Sequence, residues 1–400
     1  MDCISLFSGC GGMDLGFEGG FLVNEKSVNP SIHPNWITER LGQSVRLAPT
    51  GFDTVFANDI RTSAMTAWLS YFKKEVYHLE SIVDLVKKEQ AGIRIFPRNA
   101  DVVIGGFPCQ DFSVAGKRMG FRSLTGHDGV RISPDAPSEE NRGKLYIWMK
   151  CVIDIVKPLM FVAENVKGLV SLEDAKTVIE HDFAMSGGKG YIVVPARVLH
   201  AADYGVPQSR ERVIFFGFRK DCLKPKALEA LSLPKIPKEY DPYPPRTHSY
   251  TAKGEGMRSP VVCRDVFSDL PEPEFSNDPS QKIYSKAKYM GRHCQGQTEI
   301  RLDSIAPTIR SEHHGNIEFR RLSAEHGGKH CEELESGLLE RRLTVRECAK
   351  IQTFPDDYQF IIKGKLSSSD AYKLIGNAVP PMLAYNIAMN LAEKWHDYFN

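Results

Sequence analysis

None of the nine cysteines in this 400-residue chain stands in a CxxC pair; they are scattered singly and their number is odd. That pattern excludes a disulfide framework and points to a reducing compartment, so the cytoplasm is expected. Charge of one sign is also missing, since 51 Lys and Arg against 50 Asp and Glu leave a formal net charge of +1. Any contact with nucleic acid must therefore come from a local basic surface, not from a global field. No apolar run approaches the ~20 residues that cross a bilayer, and the chain enters Ile4-Ser5-Leu6-Phe7 without a basic leader. Neither secretion nor membrane insertion is expected. No internal repeat is visible, and no low-complexity tract beyond Ser367-Ser368-Ser369. A 42% hydrophobic and 25% charged composition fits a soluble globular enzyme and not a disordered or fibrous chain.

The length exceeds what one hydrophobic core usually organises, so two domains are expected. Short apolar runs at 2–7, 54–58, 101–105, 160–164 and 212–218 predict buried strands, and 61–76 and 144–156 predict helices between some of them. This alternation implies an α/β, doubly wound, mostly parallel sheet that binds ligands beyond its strand ends. From about 221 the character changes to proline-rich, weakly periodic pieces such as Pro242-Tyr243-Pro244-Pro245, which predicts a second, smaller and more irregular domain. A regular pattern returns after about 365, where Pro380-Pro381 opens a helix with Leu383, Ile387 and Leu391 on one face. The expected division is 1–220, 221–365, and a C-terminal return at 366–400 that completes the first domain.

Several groups follow those strands. Phe7-Ser8-Gly9-Cys10-Gly11-Gly12 is a glycine turn that serves either close packing or a nucleotide-like ligand. Asp59 suits hydrogen bonds to a ribose, or alternatively an N-cap for the next helix. Gly105-Gly106-Phe107-Pro108-Cys109-Gln110 places a thiol just past a strand. A free thiol has a pKa of about 8.5 and needs activation. Glu164-Asn165-Val166 and Gln208-Ser209-Arg210-Glu211-Arg212 lie at later strand ends; singly, one reads as a turn and the other as a solvated charge cluster.

These motifs, together with RRLTVRECAKIQTFPDDY at 341–358 and Gly376-Asn377-Ala378-Val379-Pro380-Pro381, occur in the order and spacing of the DNA cytosine carbon-5 methyltransferases, bacterial restriction-modification type, which the chain resembles everywhere except roughly 221–340. The resemblance implies S-adenosylmethionine as cofactor, held by Phe7, Gly9, Gly11, Gly12, Asp59 and Asn377. It implies double-stranded DNA as substrate, with Cys109 adding to carbon 6 of an extruded cytosine so that carbon 5 becomes enamine-like. Glu164 would hydrogen-bond or protonate ring nitrogen 3, Arg212 would bind the carbonyl oxygen, and Arg210 would orient its neighbours. Gln110 and Ser113, in a loop containing Gly116 and Gly120, would close over the base. The chain departs from the family near the third strand, where Leu79-Glu80-Ser81-Ile82 puts Ser81 in the place of a frequent acidic residue; the adenine-side contact is left unassigned.

The family plan puts sequence reading in 221–340, whose Lys286, Lys288, Arg292, Arg301, Arg310, Arg320 and Arg321 offer phosphate and guanine partners. Interspersed Glu299, Asp303, Glu312 and Glu318 equally suit a solvated surface. His293-Cys294, His313-His314 and His330-Cys331 fit no standard zinc spacing, so no metal is expected. Nothing indicates an obligate protein partner, and a monomer is expected. An RNA cytosine methyltransferase has less need of so long a base-reading segment. A silent DNA-binding regulator has no need of Cys109, Glu164 and Arg212 together, and a nicotinamide oxidoreductase leaves all but the glycine turn unexplained.

Overall fold

A computed structural model of the chain describes residues 1–108, 145–171, 175–250, 256–311, 315–329 and 331–400. Seven strands form its main sheet: β1 (Asp2–Leu6), β2 (Asp53–Asp59), β3 (Tyr77–Leu79), β4 (Val102–Gly106), β5 (Met160–Val166), β6 (Tyr191–His200) and β7 (Glu211–Arg219). Their order is β3-β2-β1-β4-β5-β7-β6. Every pairing is parallel except those of β7, which runs antiparallel to both β5 and β6. Helices α1 (Gly12–Glu18), α2 (Thr62–Phe72), α3 (Ile82–Gln90), α4 (Leu145–Val156) and α5 (Ala175–Ala184) alternate with the strands. The doubly wound, mostly parallel sheet expected from the apolar runs is the observed fold.

Side chains alternate across this sheet, as the two-residue period of a strand requires. On β7, Val213 and Phe215 join the core built with α3, α4 and α5, whereas Ile214, Phe216 and Phe218 face the other core. That second core is covered by α1 and by a late helix, α8 (Pro381–Glu393), through Met13, Leu15 and Phe17 against Leu383, Ile387 and Leu391. Helix α8 begins at paired prolines, whose fixed φ suits a first turn. A methyl on Gly16 would overlap Pro381 and Ala384, so the glycine is what lets the two helices close.

Two strands of this sheet fall outside the apolar runs. β3 has only three residues, and β6 is a sheet-edge strand containing Pro195, tolerated there because an edge has unpaired positions. Between α1 and β2 the chain also inserts a three-stranded antiparallel sheet of Leu22–Asn24, Ile37–Leu41 and Ser44–Leu47.

Beyond residue 220 regular structure is sparse, and buried ion pairs do much of the joining. Arg321 and Arg341, both almost fully buried, share the carboxylate of Glu272, and Arg341 also grips Glu347 at 2.8 and 2.9 Å. Glu272 is held down to about 2: its burial alone would raise the carboxyl pKa, but the two guanidiniums outweigh that. Thr344 and Glu347 form a capping box that starts α6 (Val345–Ile351), in line with the Thr-x-x-Glu spacing. The 341–358 segment then returns to the glycine turn after the first strand: Tyr358 donates its hydroxyl to the Cys10 carbonyl.

Candidate active site

The chain runs outward from β1 to β2 and β3 and then crosses back to β4, so β1 and β4 flank the point where strand order reverses, a usual ligand site in such sheets. The glycine turn leaves β1 there. Phe7, Gly9 and Gly11 all have positive φ, at 54°, 54° and 77°; for phenylalanine this is a strained conformation that the surroundings must hold. They do so by bonds on both sides. Ser8 N donates to Asn58 O at 2.8 Å, Gly9 N donates to Asp59 Oδ2 at 3.1 Å, and Tyr77 Oη donates to Gly9 O at 3.1 Å.

The glycines divide by role. Around Gly9 there is open space, whereas a methyl on Gly11 would overlap Trp68 and Phe72, and one on Gly12 would overlap the Val379 carbonyl. Gly11 and Gly12 thus permit close packing, Gly12 against the C-terminal return, and Gly9 is the one that leaves room for a ligand. Asp59 is not the N-cap of α2, a position held by Arg61; its carboxylate accepts from Gly9 N and Arg61 N. Burial raises its pKa, with those bonds and the Arg61 charge opposing. Asn377 ends α7 (Ser368–Asn377) and is exposed, beside the same turn, where Cys10 Sγ reaches the Leu374 carbonyl at 3.6 Å. Ser81 accepts from Val83 N and caps α3.

Beneath the turn lies Asp14, fully buried, accepting from Ser5 Oγ at 3.0 Å and Trp68 Nε1 at 3.1 Å. Burial raises its pKa to about 7, and the two hydrogen bonds only partly offset this.

At the ends of β4, β5 and β7 a second group assembles. Gly106 pairs with Glu164, and a Cβ on Gly106 would stand 2.7 Å from Glu164 Oε2, so the glycine makes room for the carboxylate. Glu164 Oε1 lies 2.7 Å from Arg212 Nε, and both side chains are only 11% exposed. Burial pushes the Glu164 carboxyl up and the Arg212 guanidinium down, while their mutual attraction opposes both shifts. Asn165 is the middle residue of the Glu164-Asn165-Val166 motif. Its Nδ2 donates to the Phe107 carbonyl at 3.1 Å, pinning the chain two residues before Cys109. Cys109, Gln110 and Ser113 lie outside the described residues, as do Gly116 and Gly120.

Arg210, Arg320 and Arg321 are placed otherwise than the sequence suggests, Arg321 being almost fully buried on Glu272. Arg210 does not orient Glu164 or Arg212 by a hydrogen bond: it is fully buried and donates to the carbonyls of Ile309 and Gly376 at 3.0 and 2.9 Å. Arg320 faces inward and makes a two-point ion pair at 3.0 and 2.9 Å with Glu333 of the short helix Cys331–Glu335. Arg310 is partly buried and bonds Gln295, Asn316 O and Glu318. Arg292 and Arg301 are exposed. Among the described residues no cluster of three or more His, Cys, Asp or Glu is arranged for a metal ion, and no helix is long and apolar enough to cross a membrane.

The model of the C-5 cytosine-specific DNA methylase family matches residues 40–393. The chain belongs to that family. The methylase is 33% identical to the Type II methyltransferase M.BspRI of Lysinibacillus sphaericus, with 99% of this chain and 82% of the relative covered. It is 30% identical to M.BsuRI of Bacillus subtilis over 98% of this chain and 79% of that one. The S. pombe Dnmt2 methyltransferase shares the fold, with a TM-score of 0.56, 17% identity and 98% of each chain covered. The methylase is thus an enzyme of DNA cytosine-5 methylation, built on an α/β methyltransferase sheet.

Proposed function

We propose that the enzyme methylates carbon 5 of a specific cytosine in double-stranded DNA with S-adenosylmethionine, through a covalent bond from Cys109 to carbon 6 of an extruded base. The observation that supports this best is the Glu164–Arg212 pair, two residues of opposite charge and low exposure at the strand ends, with the Phe107 carbonyl tied by Asn165 alongside. Carbon 5 of cytosine is a weak nucleophile while the ring is aromatic. When a thiolate forms a bond to carbon 6, the ring electrons move to carbon 5 and toward nitrogen 3 and the carbonyl oxygen. Glu164, whose burial favours its protonated form, hydrogen-bonds nitrogen 3. Arg212, pivoting from the carboxylate beside it, stabilises charge on the oxygen. Loss of the carbon-5 proton to a base then returns the electron pair, breaks the bond to sulfur and frees Cys109. A stacked base offers none of these atoms to the strand ends, so extrusion precedes attack.

The turn suits the cofactor by its own geometry: strained Phe7, unobstructed Gly9, the Asp59 carboxylate and the exposed Asn377 surround one edge of the sheet. Phe7 would pack on it, Asp59 would accept from the ribose hydroxyls and Asn377 would close the far wall. When bound, S-adenosylmethionine supplies a methyl group on a sulfonium, a leaving group good enough for an enamine carbon. Target choice belongs to the 221–365 segment, with Arg292 and Arg301 among its exposed guanidiniums and Gln110 and Ser113 closing on the base. We further read the enzyme as cytoplasmic, as a monomer and as the modification partner of a restriction endonuclease.

Duplex DNA carrying 5-fluorocytosine tests the mechanism, because fluorine replaces the proton whose loss permits release. A cofactor-dependent adduct mapped by peptide analysis to Cys109 is expected, with Cys109→Ala inactive. A Cys109→Ala enzyme within about tenfold of the parent rate, only ~1.4 kcal/mol of barrier, would overturn it.

A further inference from the structure

A fully buried guanidinium that donates only to neutral carbonyls is costly, since burial penalises its charge and neither acceptor returns a full counter-charge. Arg210 is such a group: its hydrogen bonds go to Ile309 O and Gly376 O, residues 99 and 166 positions away, and its Nε has no hydrogen-bond partner among the described residues. An apolar side chain would brace the same spot more cheaply. What a planar guanidinium adds is direction, because it fixes two carbonyls at once.

Those carbonyls belong to functionally distinct segments. Ile309 precedes Arg310, which reaches the 295–318 loops through Gln295, Asn316 and Glu318. Gly376 precedes Asn377, at the cofactor turn. Two residues beyond Arg210 stands Arg212, paired with Glu164. Gln208, also fully buried, repeats the connection: its Oε1 accepts from Ile309 N at 2.9 Å and its Nε2 donates to Gln352 Oε1 at 2.9 Å. Gln352 Nε2 in turn donates to the Ile375 carbonyl at 2.5 Å. At the rim the backbones join as well, through Ser209 N to Ala306 O at 2.8 Å and the Thr308 hydroxyl to Ser209 O. The segments lie so close that a Cβ on Gly376 would overlap the Arg310 backbone.

We propose that Gln208 and Arg210 are positioning residues that join the recognition segment and the C-terminal return to the strand carrying Arg212, so that DNA engagement and cofactor binding strengthen each other. The proposal rests on the methyltransferase reading above and extends it. If one side chain orders both segments, a ligand that orders the first lowers the cost of ordering the second, and the effect is reciprocal.

Titration of S-adenosylhomocysteine, with and without unmethylated plasmid DNA, measures this linkage without turnover. The unaltered enzyme is expected to bind S-adenosylhomocysteine about fivefold or more tightly with DNA present, within the usual range of such couplings. Arg210→Met should reduce that factor to less than about twofold and lower kcat, with Arg210→Lys restoring part of it because an ammonium can still reach one carbonyl. Thr308→Val removes a bond at the half-exposed rim and leaves the buried charge alone. It should weaken the linkage with an unchanged melting temperature, and it carries the test if Arg210→Met does not fold. A parent enzyme indifferent to DNA, or variants that lose melting temperature while keeping the full linkage, would overturn the proposal and leave the joint a brace. Tritium transfer from labelled S-adenosylmethionine to the plasmid is scored separately, so failure of the methyltransferase reading is seen as such.

Discussion

Glu164 and Asp14 are both buried carboxyls with raised pKa, yet they serve different ends. In the proposed mechanism the raised value of Glu164 would keep a proton available for nitrogen 3, so kcat/KM should fall as pH rises through its pKa. Glu164→Gln should lower the rate and remove that alkaline decline; a pH-rate profile of unchanged shape would exclude the carboxyl as the titrating group. Asp14 instead supports the turn from below through Ser5 and Trp68. Its pKa rises from the ordinary range of about 3.9 to about 7 in the fold. The native state therefore binds a proton that the unfolded chain has released, and this contribution is full below about pH 4 and lost as pH rises through about 7. Asp14→Asn, whose Oδ1 can still accept from Trp68 while its amide nitrogen can donate to the Ser5 hydroxyl, should flatten the fall in urea midpoint between pH 5 and 8. A wild-type slope in the variant would show that another group titrates. Nothing in the residue's sequence neighbourhood announces this burial, since a lone aspartate in a first helical turn ordinarily meets solvent.

Among elements, the contact of α1 with the C-terminal return is made by absences. Gly12 and Gly16 have no Cβ where Val379, Pro381 and Ala384 approach, and Gly106 has none where Glu164 sits. Gly12→Ala should cost about 2 kcal/mol or more by overpacking, read from urea unfolding, and should weaken S-adenosylmethionine binding by displacing Asn377. A variant of parental stability would mean that the return moves aside freely. The strands themselves were legible in large part: five apolar runs coincide with β1, β2, β4, β5 and β7 to within two residues. β6 escaped because Pro195 interrupts an edge strand whose outer residues meet solvent, and the reversed direction of β7 is invisible in an apolar run, which reads the same either way.

The whole molecule is held together by a chain that leaves the sheet at β7 and comes back. Its return contributes Tyr358 to Cys10 and α8 to α1. Asn377→Ala should weaken S-adenosylmethionine binding about tenfold, the loss of roughly one good hydrogen bond to a polar ligand, while the melting temperature stays put because the side chain is exposed. Unchanged affinity in titration would remove Asn377 from the pocket. The sequence by itself determined the methyltransferase family and the strand ends at which its motifs lie, because motifs of this order are recognisable without coordinates and local apolar periods suffice to place them after strands. Only the tertiary structure decided which charged residues are buried. Arg210, Arg320 and Arg321 read as solvated or DNA-facing in a chain of near-zero net charge and Arg341 only as part of a family motif, yet their partners, Ile309 and Gly376, Glu333, Glu272 and Glu347, range from six to 166 residues away. A charge pattern in sequence records what a residue can bind. Whether it binds solvent, DNA or the protein's own carboxylates depends on which distant segments folding brings within hydrogen-bonding reach.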